Sequence, residues 1–438
     1  MQNAPDPDGA LAWAAARIEQ GAAQLRRTTV SFFGNFGTQN LGNEYTLQAI
    51  IHNVHKYLPD AQVNCICTNP EDASARHDIL AFLISYRYGK DHRARARRDP
   101  LIIRWLRRFL IRLPLELIEW LRAFMTLKGT SMLVMTGTGM LGDFGIGPFD
   151  LHYEILKWSL LAKLRRTKLL FVSVGAGPIA HPLSRWIVKL AISLADYRSY
   201  RDSFSKDYLA SIGFDTKDDH VYPDLAFSLR PRAPACGSGN SRVIGLGLMD
   251  YYGKGSTDEY DETTYRDYLE RVTTFATLLL DRKYTIRLLI GDVSYDTRVT
   301  GDVIKRLRER GAKGQIIDEP VSSVEQLIAQ LAATDIVIAT RFHNVLLALM
   351  LNKPVVALSY HEKIASLMAG VGMAEYCQRI DQLDVGLLME RFDKLEQNAG
   401  IIKPQIEQRI EEYGRALEEQ YVHIFNHLCP ASPRREGE

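Results

Sequence analysis

The stretch from Asp335 to Lys363 gathers the residues best suited to chemistry. An apolar run, DIVIAT, leads straight into Arg341-Phe342-His343-Asn344 and an apolar helix, VLLALML. Asn352-Lys353-Pro354 then precedes a second run, VVALS, which ends in Tyr360-His361-Glu362-Lys363. Arg341, His343 and Lys363 therefore fall where two strands end and helices begin, the edge of an open α/β sheet at which ligands bind. A helix N-terminus there offers unpaired N–H groups to an anion. Arginine adds a planar fork matched to phosphate or carboxylate, and histidine can pass a proton near neutral pH. One such residue is commonly a solvated loop charge; three at consecutive strand ends point to an anion site with an acid–base group. The strand YRSY ends similarly in Arg201-Asp202, followed by Ser203 and Ser205. Arg201 either faces the same cleft or simply pairs with Asp202, and Asp202 or Ser203 caps the next helix.

Three Gly-rich turns also follow strands: Gly34 to Glu44 (GNFGTQNLGNE), Gly137 to Asp143 (GTGMLGD) and Gly175 to Pro178 (GAGP). Glycine lets a backbone approach a ligand closely. None of the three ends in the Lys-Ser/Thr of a phosphate-binding loop, and none is a clean dinucleotide fingerprint. Together on one sheet edge they mark a crevice.

Two alternating sets of elements must position these segments. Strands are expected at Thr28–Phe33, Gln62–Cys67, Met132–Thr136, Leu169–Val174 and Tyr197–Tyr200. A second set lies at Val243–Leu248, Thr285–Ile290, Gly314–Ile317, Ile336–Ala339 and Val355–Ser359. Helical patterns, such as those at Glu44–Tyr57, Tyr153–Arg166, Pro182–Ala195 and Tyr265–Asp281, lie between them. This order predicts two mainly parallel, two-faced sheets. At 438 residues the chain exceeds one ordinary core, and RPRAPACGSGNS at 230–241 reads as a linker. The expected organisation is an extension over 1–27, a first α/β lobe over 28–232 and a second over 241–400. A C-terminal helix follows over 401–428, then a disordered tail over 429–438.

Lys plus Arg number 54 against 52 for Asp plus Glu. That balance names no partner, and with no recognisable module it argues against nucleic acid. Five cysteines, at 65, 67, 236, 377 and 429, lack metal or disulfide spacing; Cys65 and Cys67 share one strand face and read as buried thiols. No secretory signal and no bilayer-length apolar run is visible, so a cytoplasmic protein is expected. One region departs from the average. Nine arginines crowd positions 87 to 112, interleaved with Trp105, Phe109 and aliphatic residues. The basic insertion, about 87–125, reads either as a helix lying on an anionic membrane surface or as one packed on the first lobe with a solvated face.

Taken together, GNFGTQNLGNE, FVSVGAGP, YRSYRDSFS, YPDLAF and RFHNVLLALMLNKPVVALSYHEK resemble, in order, the motifs of the polysaccharide pyruvyl transferase family over roughly residues 28–375. The resemblance implies two Rossmann-like lobes in the GT-B glycosyltransferase arrangement, with the cleft between them. It implies phosphoenolpyruvate as donor, a sugar or lipid-linked glycan as acceptor and a pyruvate ketal as product, with no cofactor and no metal. Arg201, Arg341 and Lys363 would bind the donor and His343 would be the general acid. Asn35, Asn40, Gly42, Asn43, Glu44, Gly139, Asp143, Gly175, Gly177 and Asp224 would line the cleft on the acceptor side. Asn43 stands where the family commonly has Asp, with Glu44 beside it as a possible substitute. Two other readings remain open: a nucleotide-sugar-dependent glycosyltransferase of the same build, for which Glu362 is the nearest ribose-binding acid, and a non-catalytic glycan-binding relative.

Overall fold

A computed structural model describes residues 28–86, 113–142, 147–232, 242–253 and 261–429. The first lobe runs β1 (Thr29–Phe33), α1 (Leu41–Tyr57), β2 (Gln62–Cys67), α2 (Pro70–His77), β3 (Leu80–Leu83), α3 (Leu113–Thr126), β4 (Met132–Met135), α4 (Leu151–Leu164), β5 (Lys168–Val174), α5 (Pro182–Ser193), β6 (Tyr197–Tyr200), α6 (Ser203–Ser211) and β7 (His220–Val221). A short 3-10 turn, Leu225–Ser228, leads toward the second lobe. That lobe runs β8 (Val243–Gly247), α7 (Glu262–Asp281), β9 (Thr285–Leu289), α8 (Thr297–Glu309), β10 (Ile316–Ile317), α9 (Val324–Ala332), β11 (Ile336–Ala339), α10 (Phe342–Met350), β12 (Val355–Ser359), α11 (Glu362–Gly370), β13 (Cys377–Arg379) and α12 (Val385–His423).

Every strand pair is parallel. The orders are β3-β2-β1-β4-β5-β6-β7 and β10-β9-β8-β11-β12-β13. Runs such as MLVM, IVIA and VVALS are buried at every position, as parallel strands covered by helices on both faces require. In each sheet the order turns back beside the first strand, β1 or β8, and the loops leaving the carboxyl ends of these strands line a crevice there. Cys65 and Cys67 are both fully buried, consistent with inert thiols.

The differences from the expected elements have local causes. Strands β3, β7 and β13 were not expected; they hold four, two and three residues at or next to sheet edges, too few to show a period. The C-terminal helix begins at Val385, not near Lys403. Pro404 interrupts the local pattern yet lies inside the helix. Residues 1–27, most of the basic insertion (87–112), most of the linker (233–241), Asp143 and the tail beyond Cys429 lie outside the described residues.

Helix α12 leaves the second lobe and ends against the first. Gln420, fully buried, donates to Tyr197 Oη (3.2 Å) and Ser199 Oγ (2.6 Å) and accepts from Ser173 Oγ (3.2 Å). Tyr57 stacks on Tyr421 and Phe425 (centroids 6.3 and 5.4 Å), and Lys56 pairs with Glu418 at 2.7 Å. Replacing Gln420 with leucine keeps the bulk but removes three buried hydrogen bonds, leaving Ser199 Oγ only the donation from Ser173 N–H. It should cost about 1–3 kcal/mol in urea unfolding; an unchanged midpoint would show that this network does not fasten the helix.

Candidate active site

The Gly34–Asn43 turn after β1 crosses to the second lobe. Leu41 N–H donates to Gly291 O (3.1 Å), Val293 N–H to Gln39 O (3.2 Å), and Asn40 Nδ2 to Asp292 Oδ2 (3.1 Å). Gln39 holds φ at +61°, unusual for a side-chain-bearing residue, to aim that carbonyl. Asn40 also caps α1 by accepting from Asn43 N–H at 3.3 Å.

Beneath this contact lies a cavity of about 70 Å³ lined from both lobes. Asn40, Asn43, Thr138, Gly139 and Arg201 come from the first; Gly291, Arg341, Phe342, His343, Asn344, Tyr360 and Lys363 come from the second. The four residues expected to handle the donor thus converge on one small space.

Each arrives by a different device. Arg341 is the N-cap residue of α10, and its guanidinium grips Asp296 through Nε (2.9 Å) and a second nitrogen. Asp296 is fully buried and also accepts from the backbone N–H groups of Gly291, Asp292 and Asp250. Burial opposes the charge on Arg341, but Asp296 beside it more than offsets this, so its pKa is raised. Arg201 follows β6; it lies 3.4 Å from Asp202 and 3.7 Å from the buried Asp224, and stacks on Phe342 (5.1 Å). Asp202 is the cap of α6, accepting from Ser205 N–H at 2.7 Å. Lys363, in the first turn of α11, lies over the rings of Phe342 (5.8 Å) and Tyr360 (5.1 Å). Burial alone would raise the pKa of the Tyr360 phenol; Lys363 and Arg341 bring it below its ordinary value.

His343 sits in the first turn of α10 with Nε2 3.3 Å from Thr46 Oγ1 of the opposite lobe. Its pKa is pushed down from 6.5 to about 3, first by burial and then by Lys363 and Arg201. The imidazole is therefore neutral at pH 7 in the unliganded protein.

The expected cleft residues divide. Asn40, Asn43 and Gly139 line the cavity. Gly42 and Gly175 do not; they make room for residues that do. A Cβ on Gly42 would stand 1.9 Å from His343 Nδ1, and one on Gly175 would stand 2.5 Å from an Arg201 nitrogen. Four others lie outside the small cavity, and Asp224 lines a larger one beside it. Glu44 cannot stand in for an acid at position 43, because it is buried and turned away, accepting from Gly37 N–H (2.8 Å) and paired with His77 (2.9 Å). Asn35 belongs to the loop: it accepts from Thr68 Oγ1, and its carbonyl takes the Asn43 amide at 3.1 Å. Gly177 packs under Tyr208. Asp224 caps the 3-10 turn through Ala226 N–H and backs Arg201; burial raises its pKa. The Asn43 amide makes a donation to Asn35 that a carboxylate could not.

Four contributors escaped the sequence reading as site residues: Asp296, Tyr360, Asn344 and Thr138. Asn344 is fully buried, and neither its amide oxygen nor its nitrogen has a hydrogen-bond partner in the protein; the Thr138 hydroxyl is likewise unpartnered. Buried polar atoms are rarely left so, and both line the cavity. The signal available for Asp296 was another strand end at the carboxyl edge, GDVSYD after β9. Among the described residues no group of three or more His, Cys, Asp or Glu side chains could hold a metal ion.

A family model, polysaccharide pyruvyl transferase, matches residues 40–362. The chain belongs to the polysaccharide pyruvyl transferase family. The match spans both lobes and contains all the residues that line the small cavity except Lys363. A curated relative of this chain is the amylovoran biosynthesis protein AmsJ of Erwinia amylovora, 21% identical over 409 residues, covering 86% of this chain and 94% of the relative. Among solved structures, a UDP-GlcNAc 2-epimerase of Neisseria meningitidis bound to UDP-GlcNAc matches with a TM-score of 0.56 at 11% identity, covering 91% and 100% of the two chains. Anabaena HepE in complex with UDP and glucose matches at 0.52 and 14%, covering 90% and 99%. At these identities the likeness is one of fold, the two-lobed GT-B arrangement.

Because Gly42 leaves room for the imidazole, Gly42→Ala should destabilise the protein by about 1–3 kcal/mol in urea unfolding, as overpacking does. The same change on an open helix face stabilises by up to about 1 kcal/mol. A stabilised variant would mean that His343 does not press on α1.

Proposed function

We propose that this family member transfers a pyruvyl group from phosphoenolpyruvate to a sugar of a polysaccharide or lipid-linked glycan, forming a cyclic ketal. The observation that carries the reading is the convergence of Arg201, Arg341 and Lys363 with His343 on one small cavity between the lobes. Phosphoenolpyruvate is small and carries a carboxylate and a phosphate, which suits three cations in a confined space. The bare first turn of α10, which has no side-chain cap, adds backbone donors. The AmsJ relative is named for amylovoran biosynthesis.

The proton sequence follows from the electrostatics. In the unliganded site His343 is neutral, held so by burial and by Lys363 and Arg201. A bound polyanion offsets those two cations and raises the affinity of the imidazole for a proton. Donor binding therefore loads the acid that donor chemistry needs. His343 then protonates the methylene carbon of the vinyl group, leaving a cation at the central carbon. One sugar hydroxyl adds there and gives up its proton, phosphate departs, and a second hydroxyl closes the ketal. Of the two hydroxyl protons released, one restores His343 and the other leaves with phosphate.

A second observation favours contact with an anionic membrane, and with it a peripheral position on the cytoplasmic face. Helix α3 packs Ala123, Trp120 and Phe124 on the first lobe but leaves a second apolar face outside. Leu113, Leu117, Ile118, Leu121 and Met125 form one arc of its surface, and each is more than half exposed. Charged residues also turn inward: Glu119 pairs with Arg122, and Glu116 faces the buried Lys157. The Arg-rich sequence 87–112 immediately precedes this arc, a pairing of apolar and basic character that suits anionic lipid. No helix among the described residues is long and apolar enough to cross a membrane.

Two experiments test these readings. Incubation with phosphoenolpyruvate and a panel of sugar and lipid-linked acceptors should release phosphate only when acceptor is present, with release falling about 10²–10⁴-fold in His343→Ala and failing in Arg341→Ala. At pH 7 the calorimetric heat of donor binding should vary with buffer ionisation enthalpy, showing proton uptake, and donor affinity should weaken as pH rises. Neither trend should survive in His343→Gln. Absence of both donor binding and phosphate release would sink the reading, and turnover of a UDP-sugar would replace it with glycosyl transfer. For the membrane, co-sedimentation with anionic but not neutral vesicles is expected, reduced in Leu117→Ser/Leu121→Ser; no sedimentation with either would remove the idea.

A further inference from the structure

A second, larger cavity, about 580 Å³, adjoins the small one. Its wall includes Arg201, Phe342 and Lys363, which also line the donor cavity. Beyond that shared wall it is built from α6, the β7 exit, α11 and α12; it holds none of the glycine-turn residues, and of the residues expected on the acceptor side it holds only Asp224. Its character differs from that of the small cavity. Tyr222, Phe227 and Tyr413 supply aromatic surface, with Phe227 and Tyr413 edge to face at 5.1 Å. Asp202 near Arg201 and the Arg409–Glu412 pair (2.6 Å) supply polar groups at either end.

From this geometry we infer that the larger cavity is the acceptor subsite, and that it takes one or two pyranose rings of the glycan. The inference rests on the pyruvyl transfer reading for its choice of acceptor. The physical case has three parts. Aromatic faces with a few convergent carboxylates and a guanidinium suit a pyranose, which has apolar C–H faces and a hydroxyl rim. The volume lies within the range of small-ligand sites, about 300–1,000 Å³, whereas the donor cavity, at about 70 Å³, has no room for a sugar as well. Finally, a sugar seated here meets the donor across Arg201 and Lys363, so a hydroxyl can reach the central carbon of the donor without entering through the sealed Gly34–Asn43 turn, which is bonded to the second lobe. The acceptor therefore approaches from the α12 side, and α12, a long helix that joins the lobes, contributes to specificity through Arg409, Glu412 and Tyr413.

The test uses the full-length protein and the methyl glycosides of glucose, galactose, mannose and N-acetylglucosamine, with UDP as a control. Saturation-transfer NMR should show at least one glycoside binding to the wild type. Glu412→Ala, at the rim, and Tyr413→Ala, in the wall, should weaken it at least tenfold while leaving the thermal shift produced by phosphoenolpyruvate unchanged. Glu412→Ala covers the chance that loss of the Tyr413 ring disturbs folding. Wild-type protein that binds none of the four glycosides, glycoside binding that both variants leave intact, or UDP displacing a bound glycoside with both variants also losing UDP would each overturn the assignment. Glycoside binding is read with and without phosphoenolpyruvate. Failure of the donor to shift the melting temperature thus strikes the pyruvyl reading alone, while the glycoside data still decide the cavity.

Discussion

Positive charge that must be buried governs this molecule. Arg201, Arg341 and Lys363 converge on a space with little access to water, where an unpaired cation would be expensive. Each is held by a group from a different element. Asp296, brought in by the start of α8, grips Arg341; Asp202 and Asp224, at the ends of β6 and the crossover, back Arg201; the Tyr360 phenol lies under Lys363. Removing Asp296 would leave the Arg341 charge without its carboxylate partner, so the turn that carries Asp296 is held by electrostatics as well as by packing. Asp296 shows how far this reaches: three backbone N–H groups of neighbouring turns converge on the same carboxylate.

Much of this was legible in the sequence because it is written in periodicity. Apolar runs such as DIVIAT and VVALS are long enough to declare buried parallel strands, and the residues that follow them are fixed at the carboxyl edge by topology alone. That is why Arg201, Arg341, His343 and Lys363 could be chosen. The remainder depends on pairings between distant segments. Glu44 looked like a stand-in for an acid at position 43 until the helix turned it toward His77, and Asp296 lies 45 residues before the arginine it holds. Short edge strands such as β7 and β13 exist because a neighbour offers a ladder, which no local pattern records.

The glycines divide along the same line. Gly42 and Gly175 were read as places where backbone might approach a ligand. The structure uses them at one remove, as room for the imidazole and the guanidinium. Their smallness serves the site through the side chains they admit, and the direct lining falls to Asn40, Asn43, Thr138 and Gly139.

The position of His343 has a consequence for lobe motion. Its ring belongs to the second lobe, but the atoms that crowd it, Gly42 and Thr46, belong to the first. Separation of the lobes would admit water to the imidazole and lift the burial that holds its pKa near 3. An open molecule would then carry this histidine closer to its solution behaviour, and closure would expel the proton unless an anion had entered first. Any parting of the lobes would thus be coupled to protonation of this ring, so that shutting on an empty cleft is disfavoured in acid and shutting on a loaded one is not.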